Sequence, residues 1–161
     1  MFLVCVDVIR SSPKEIRTMM FENSVVIHKP VTKVFEFVTN FKNNATWQTD
    51  ILNIEMTSDG PLRHGSTYRC MNKFMGIRIE TEAYITVYVP YKQCSFKITS
   101  NVLTADSNYF FEPVDNGTQF TTSGVVDLKS FKFTKMLVKR NVYRQIKNDM
   151  MTLKNVLENG G

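Results

Sequence analysis

The sequence predicts an α+β domain in which a curved antiparallel sheet, accompanied by two short helices, wraps around one long C-terminal helix. Three observations predict it. From Ile51 to about Leu128 the apolar residues recur near every second position, the period of strands with one buried face. After them Val142, Tyr143, Ile146, Met150, Leu153 and Leu157 recur at three and four, the stripe of an amphipathic helix. Between Pro30 and Trp47 lies a shorter helical repeat. A sheet with one apolar face must cover it, and the closing helix is the only element of the right size.

The elements follow in order. "FENSVVI" is strand-like, and Pro30 stops it while supplying the fixed φ of a helix's first turn. Val31, Val34, Phe35 and Val38 then fall at i, i+3, i+4 and i+7. "NFKNNATWQ" reads as a turn and a second short helix that ends at the chain's one Trp. Leu52, Ile54 and Met56 alternate in the next strand, which "DGPLRHG" breaks. Tyr68, Cys70 and Phe74 share one face of the strand after it, Arg69 and Lys73 the other. In the longest run Ile77, Ile79, Ala83, Ile85, Val87 and Val89 are expected inward, with Arg78, Glu80, Glu82, Tyr84, Thr86 and Tyr88 in water. Pro90 ends that strand. Cys94, Phe96 and Ile98 mark another, and "SNYFFEPV" and "QFTTSGVVDL" flank a hairpin with Asn116-Gly117 expected at its tip. The closing helix is expected from about Phe131 to Glu158.

A chain of 161 residues has the size of one domain, and 12 Phe beside only 7 Gly and 5 Pro argue for a packed globule. Residues 1–19 are expected to form an N-terminal extension ahead of a single ligand-binding domain at 20–161. "MFLVCVDVIR" is broken by Asp7 after a few residues, too short for a membrane span or a secretory segment. Cys5, Cys70 and Cys94 are widely spaced without a C-x-x-C pair, so reduced thiols and a cytoplasmic location are expected. The charge is uneven. From Lys129 to Glu158 there are eight Lys or Arg against two carboxylates, a surplus of six; with a formal net charge of +5, the rest of the chain carries −1.

The stretches "VVIHKPVTKVFEFVTNFKNNATW", "DGPLRHGSTYRC" with Gly65 ahead of a strand, "FFEPVDNGTQF" with Gly117-Thr118, and the terminal helix together resemble the polyketide cyclase/dehydrase family of the START-like, helix-grip (SRPBCC) superfamily. The resemblance runs from about Phe21 to the C-terminus. It departs from the family at Lys29, where a small residue usually precedes the Pro, and at Asn40, where an Asp is frequent. These motifs are turns, stripes and packing positions, so they specify architecture more than chemistry. What the resemblance implies is a helix-grip fold with a cavity between sheet and long helix, one end of it closed by the segment carrying Trp47.

Catalytic signals are sparse. His28 and His64 have no Cys, Ser or carboxylate at a recognisable spacing, Glu80 and Glu82 lie on the wet face, and no glycine-rich phosphate loop is present. No cofactor and no metal is therefore expected. Aromatic and small polar residues do recur on the inward faces: Tyr68, Cys70 and Asn72 on the third strand, Phe96 and Ile98 on the fifth, Tyr109 and Phe111 on the sixth, Phe120 on the seventh. Such side chains either fill a core or line a cavity for an apolar ligand with polar handles; the resemblance favours the cavity. Lys139 falls beside the helix's apolar stripe, where it would either reach a pocket mouth and meet a carboxylate or enolate or snorkel to the surface, and Tyr143 lies one turn on.

The expected function is binding of a small hydrophobic, aromatic or lipid-like molecule. One alternative is a cyclase or dehydrase in which Tyr68, Tyr143 or Lys139 supports proton transfer. Another is a protein-interaction module using the basic flank Arg140, Arg144, Lys147 and Lys154. Nucleic acid is not an expected partner, because no aromatic-interleaved RNA motif accompanies that flank.

Overall fold

The computed structural model describes residues 18–129 and 134–160. Strand β1 (Thr18–Ile27) leads through helix α1 (Val31–Thr39) and a 3₁₀ helix (Phe41–Thr46) to six consecutive strands: β2 (Ile51–Met56), β3 (Thr67–Phe74), β4 (Ile77–Val89), β5 (Gln93–Thr99), β6 (Leu103–Val114) and β7 (Gly117–Leu128). Helix α2 (Lys135–Asn159) closes the chain. Thr18 and Met19 thus belong to β1, although the sequence set 1–19 apart; residues 1–17 and the expected helix start at 131–133 lie outside the described residues.

The sheet order is β1-β7-β6-β5-β4-β3-β2 with every neighbouring pair antiparallel. Consecutive hairpins build β2 to β7, and β1 then pairs with β7, so β1 and β2 form the two edges of the sheet. The segment joining them must pass from one edge to the other, which is why α1 and the 3₁₀ helix lie across one end of the interior. Val34, Phe35 and Val38 on the inner stripe of α1 are buried there.

Two turns carry the hairpin chemistry. Met75 and Gly76 join β3 to β4 with φ of 50° and 82°, the paired positive values of a tight type I′ hairpin. The β6–β7 loop is Asp115-Asn116, one residue earlier than expected, because Gly117 already pairs with Val114. Gly117 is required by proximity as well as by its φ of 147°: a side chain there would run into the Ile27 carbonyl oxygen.

The alternation expected along β4 holds only to Ile85. Register with β5 shifts between Ile85 and Val87, so Thr86 is an extra residue and the strand changes phase. Beyond the bulge Tyr88 packs against the core and meets Phe35 at 5.7 Å, while Val89, expected inward, is exposed. Ile77, beside the Met75-Gly76 turn, is exposed as well.

Apolar packing divides into two clusters. The larger joins Ile27, Val34, Val38, Ile85, Phe111, Phe120 and Leu153 with their neighbours. The smaller gathers Met19, Leu128 and Val138 beneath the first turns of α2. Space is left between them.

A cavity between the sheet and the long helix

That space is a cavity of about 270 Å³. Its floor is the inward face of β3 to β6, where alternation brings Tyr68 and Cys70, Thr81 and Ala83, Phe96 and Ile98, and Ala105 and Ser107 to one side. Ala83, Ala105 and Ser107 are too small to reach across to the helix, so the sheet and α2 do not meet there. The roof is α2, through Val138, Val142, Gln145, Ile146 and Asp149 at helical spacing.

Polar groups concentrate on the wall made by residues 44–50 and the facing turn of α2. Gln48 Nε2 donates to the Tyr109 hydroxyl at 3.1 Å. Asp149, only 7% exposed on the stripe of α2, accepts from the Thr49 backbone N–H and the Thr49 hydroxyl, both at 3.2 Å and both on Oδ1. Burial pushes its carboxyl up to about 6, opposed by the Thr49 backbone hydrogen bond and reinforced by the negative charge of Asp50. Burial likewise raises Asp50, against hydrogen bonding from its backbone and from Gln145. On the floor, Asn72 Nδ2 donates to Thr81 Oγ1 at 2.9 Å. Burial holds the Tyr68 hydroxyl at about 12 and the Cys70 thiol at about 11, so both stay protonated near neutrality. Tyr109 is raised for the same first reason.

The residues expected to form the pocket fall into three groups. Tyr68, Cys70, Asn72, Phe96, Ile98 and Tyr109 line the cavity. Trp47, Phe111 and Phe120 belong to the packed cluster beside it: Phe120 meets Phe111 at 5.2 Å and Trp47 at 6.4 Å. Lys139 and Tyr143 are not among the lining residues. One position on from Val138 and Val142, they turn about 100° round the helix toward β1. There the Tyr143 hydroxyl donates to the Met20 carbonyl at 2.6 Å, and the Lys139 ammonium lies 5.5 Å from the Tyr143 ring centre. Asp50, Asp149, Asn44, Gln48 and Gln145 line the cavity unannounced by sequence reasoning. For Asp149 a signal existed: it stands three residues after Ile146 and four before Leu153, a carboxylate on the apolar stripe itself.

The histidines sit elsewhere. His28 Nδ1 lies 3.0 Å from Glu158 Oε1 at the end of α2, and His64 packs edge-on against Tyr84. Among the described residues no group of three His, Cys, Asp or Glu is arranged to hold a metal ion. A second, wider hollow of about 780 Å³ lies outside the sheet–helix interior, lined by α1, the β2–β3 loop and Tyr91. Phe41, Ile54 and Tyr68 border both spaces, and the Phe41 and Tyr68 rings meet edge-on at 4.7 Å.

A seven-stranded antiparallel sheet curved onto a long C-terminal helix, with an apolar hollow between, defines a START-like domain of helix-grip fold. The chain belongs to the polyketide cyclase/dehydrase and lipid transport family, whose model matches residues 18–158. Among solved structures it is similar to the Zhui aromatase/cyclase from Streptomyces sp. R1128, at 13% identity and a TM-score of 0.74 over 89% of this chain and 98% of that one. A START superfamily protein from Mycobacterium smegmatis aligns at 11% identity and a TM-score of 0.72, covering 88% and 99%. Ara h 8.0201 aligns at 15% identity and a TM-score of 0.67, covering 87% and 97%. At such identities the likeness is one of fold. No curated protein matches the sequence, and no helix among the described residues is long and apolar enough to cross a membrane.

Proposed function

We propose that the protein binds a small hydrophobic molecule, aromatic or lipid-like, between the sheet and α2. The observation that carries this reading is the cavity of about 270 Å³ with mainly apolar and aromatic walls, at a place where sheet and helix ordinarily interdigitate. Burial of ligand surface supplies about 25 cal/mol per Å², and Tyr68, Cys70, Asn72 and Tyr109 provide polar handles beside the rings of Phe96 and Phe41. The buried free thiols Cys70 and Cys94 suit a reducing, cytoplasmic setting, and the chain from Thr18, whose neighbour Met19 lines the cavity, to the end of α2 acts as one ligand-binding unit.

A second reading, a cyclase or dehydrase, is favoured by one observation: Asp149 faces the cavity with its carboxyl raised to about 6, near the range useful for proton transfer. In an enzyme Asp149→Asn abolishes turnover while binding persists; in a carrier it changes affinity alone. The test of the first reading is native mass spectrometry of the purified protein followed by denaturing extraction. A retained apolar molecule, or a rise in melting temperature with phenylbutanol, is the expected result. A chain at its own mass that no apolar probe stabilises would contradict it.

A further inference from the structure

We infer that the cavity is built for an apolar molecule carrying a protonated amine at one end, and that it disfavours fatty or aryl acids. This rests on the cavity-binding reading above and goes beyond it by assigning the sign of the ligand's polar end.

The first observation is the charge of the walls. Among the described lining residues there is no Lys, Arg or His, and the carboxyls are Asp50 and Asp149, both raised by burial. The other titratable groups facing them, Tyr68 and Cys70 from β3 and Tyr109 from β6, are held neutral by burial. Lys73 and Arg144 lie across a separate surface hollow of about 210 Å³ that Asp50 also borders, which makes Asp149 the stronger anchor. A ligand carboxylate would thus enter an apolar space with no cation among the described lining residues to meet it and two carboxyls already present, a costly arrangement.

An unfilled acceptor on the same wall supplies a second, independent observation. Asn44 lines the cavity, is only 5% exposed, and its Oδ1 is buried without a donor. Both hydrogen bonds to Asp149 land on Oδ1, so among the described residues Oδ2 receives none. A buried acceptor without a donor, as Asn44 Oδ1 is, is costly unless a bound group satisfies it. An ammonium carries up to three N–H donors and a compensating charge, and it can address Asn44 Oδ1 and the Asp149 carboxylate while its apolar body lies against Phe96, Ile98 and Ala105. The basic Lys139, which would have favoured an anion, sits outside this wall over Tyr143.

Calorimetric titration with phenylbutylamine, phenylbutanol and phenylbutyric acid, three probes with one apolar body, tests the assignment. The amine is expected to bind about tenfold more tightly than the alcohol, and the acid more weakly than both. At pH 6, near the value to which Asp149 is raised, amine binding is expected to release protons, read from two buffers of different ionisation enthalpy. In Asp149→Asn, which keeps an oxygen for Thr49, the amine's advantage over the alcohol and the proton release both shrink; Asp50→Asn has the smaller effect. Equal binding of amine and acid, or an amine preference that survives Asp149→Asn, overturns the inference and leaves the cavity reading standing. Failure of all three probes to bind overturns both.

Discussion

At the end of the interior nearest α1, Phe35, Phe111, Phe120 and Tyr109 interlock with ring centres 5.0–5.2 Å apart; toward the first turns of α2 the same sheet presents Ala83, Ala105 and Ser107, and the helix stands off. One sheet and one helix therefore build two kinds of interior. Where large side chains alternate with β-branched ones the layers close, and Ile27, Val34, Phe120 and Leu153 are wholly shielded. Where small side chains occupy the inward positions, the layers are held apart by the closed end and a cavity results. The packed end carries stability, and the open end is free to carry binding.

Four changes sharpen or break that comparison. The largest effect is expected from Phe120→Ala, which opens a hole in the packed end and costs about 3–5 kcal/mol, read as a drop in the urea midpoint. At the open end Ala105→Leu is expected to leave stability within about 1.5 kcal/mol of the parent while weakening phenylbutanol binding about tenfold or more, because the added side chain occupies the ligand's space. If Ala105→Leu destabilises as much as Phe120→Ala, the two ends do not differ in kind.

The third change is one of pH. Burial pushes the Asp149 carboxyl up to about 6 in the folded protein, above the ordinary value of 3.8 that it regains on unfolding. The folded state therefore holds its proton more tightly, and stability is greatest below about 4 and is lost as pH rises to about 6. The contribution of Asp149 to stability is expected to rise on acidification through that window by an amount on the order of 1 kcal/mol after solvent screening, read as a higher melting temperature. Differential scanning calorimetry of Asp149→Asn should show that rise diminished; an identical profile would mean that Asp149 is not the group responsible.

The smallest effect concerns the clamp at the far end of α2. Glu158 accepts from the His28 backbone N–H and from the Lys154 ammonium, each at 2.7 Å, and Lys154 also donates to the Val26 carbonyl at 2.6 Å. Glu158→Ala is expected to cost about 1 kcal/mol by denaturant unfolding, with probe binding unchanged because the clamp holds the packed end alone.

Much of this architecture is legible in the sequence because the changes of period are sharp. Pro30 separates a strand from a helical stripe, Ile51 begins the period of two, and the run Val142 to Leu157 restores the helical one. The cavity floor was readable too, since alternation alone puts Tyr68 with Cys70 and Phe96 with Ile98. Three features escaped for physical reasons. The bulge at Thr86 leaves no mark in an alternating pattern, because the residues beyond it, Val87, Tyr88 and Val89, suit either face. Met75-Gly76 lacks the Asn-Gly or Asp-Gly signature that announces a type I′ turn, yet Met75 adopts a positive φ. On α2, a helical stripe fixes which side faces inward only to within a residue: Lys139 and Tyr143 lie on its margin toward β1, whereas Asp149 lies at its centre.

The most direct measurement is amide chemical-shift mapping while phenylbutanol, a neutral apolar probe, is titrated into the protein. The account predicts that perturbations concentrate on Cys70, Thr81, Ala105, Ser107 and Asp149, with Phe111 and Phe120 changing less. Perturbations gathered instead on Leu62, Tyr88 and Tyr91, which line the outer hollow, would contradict it.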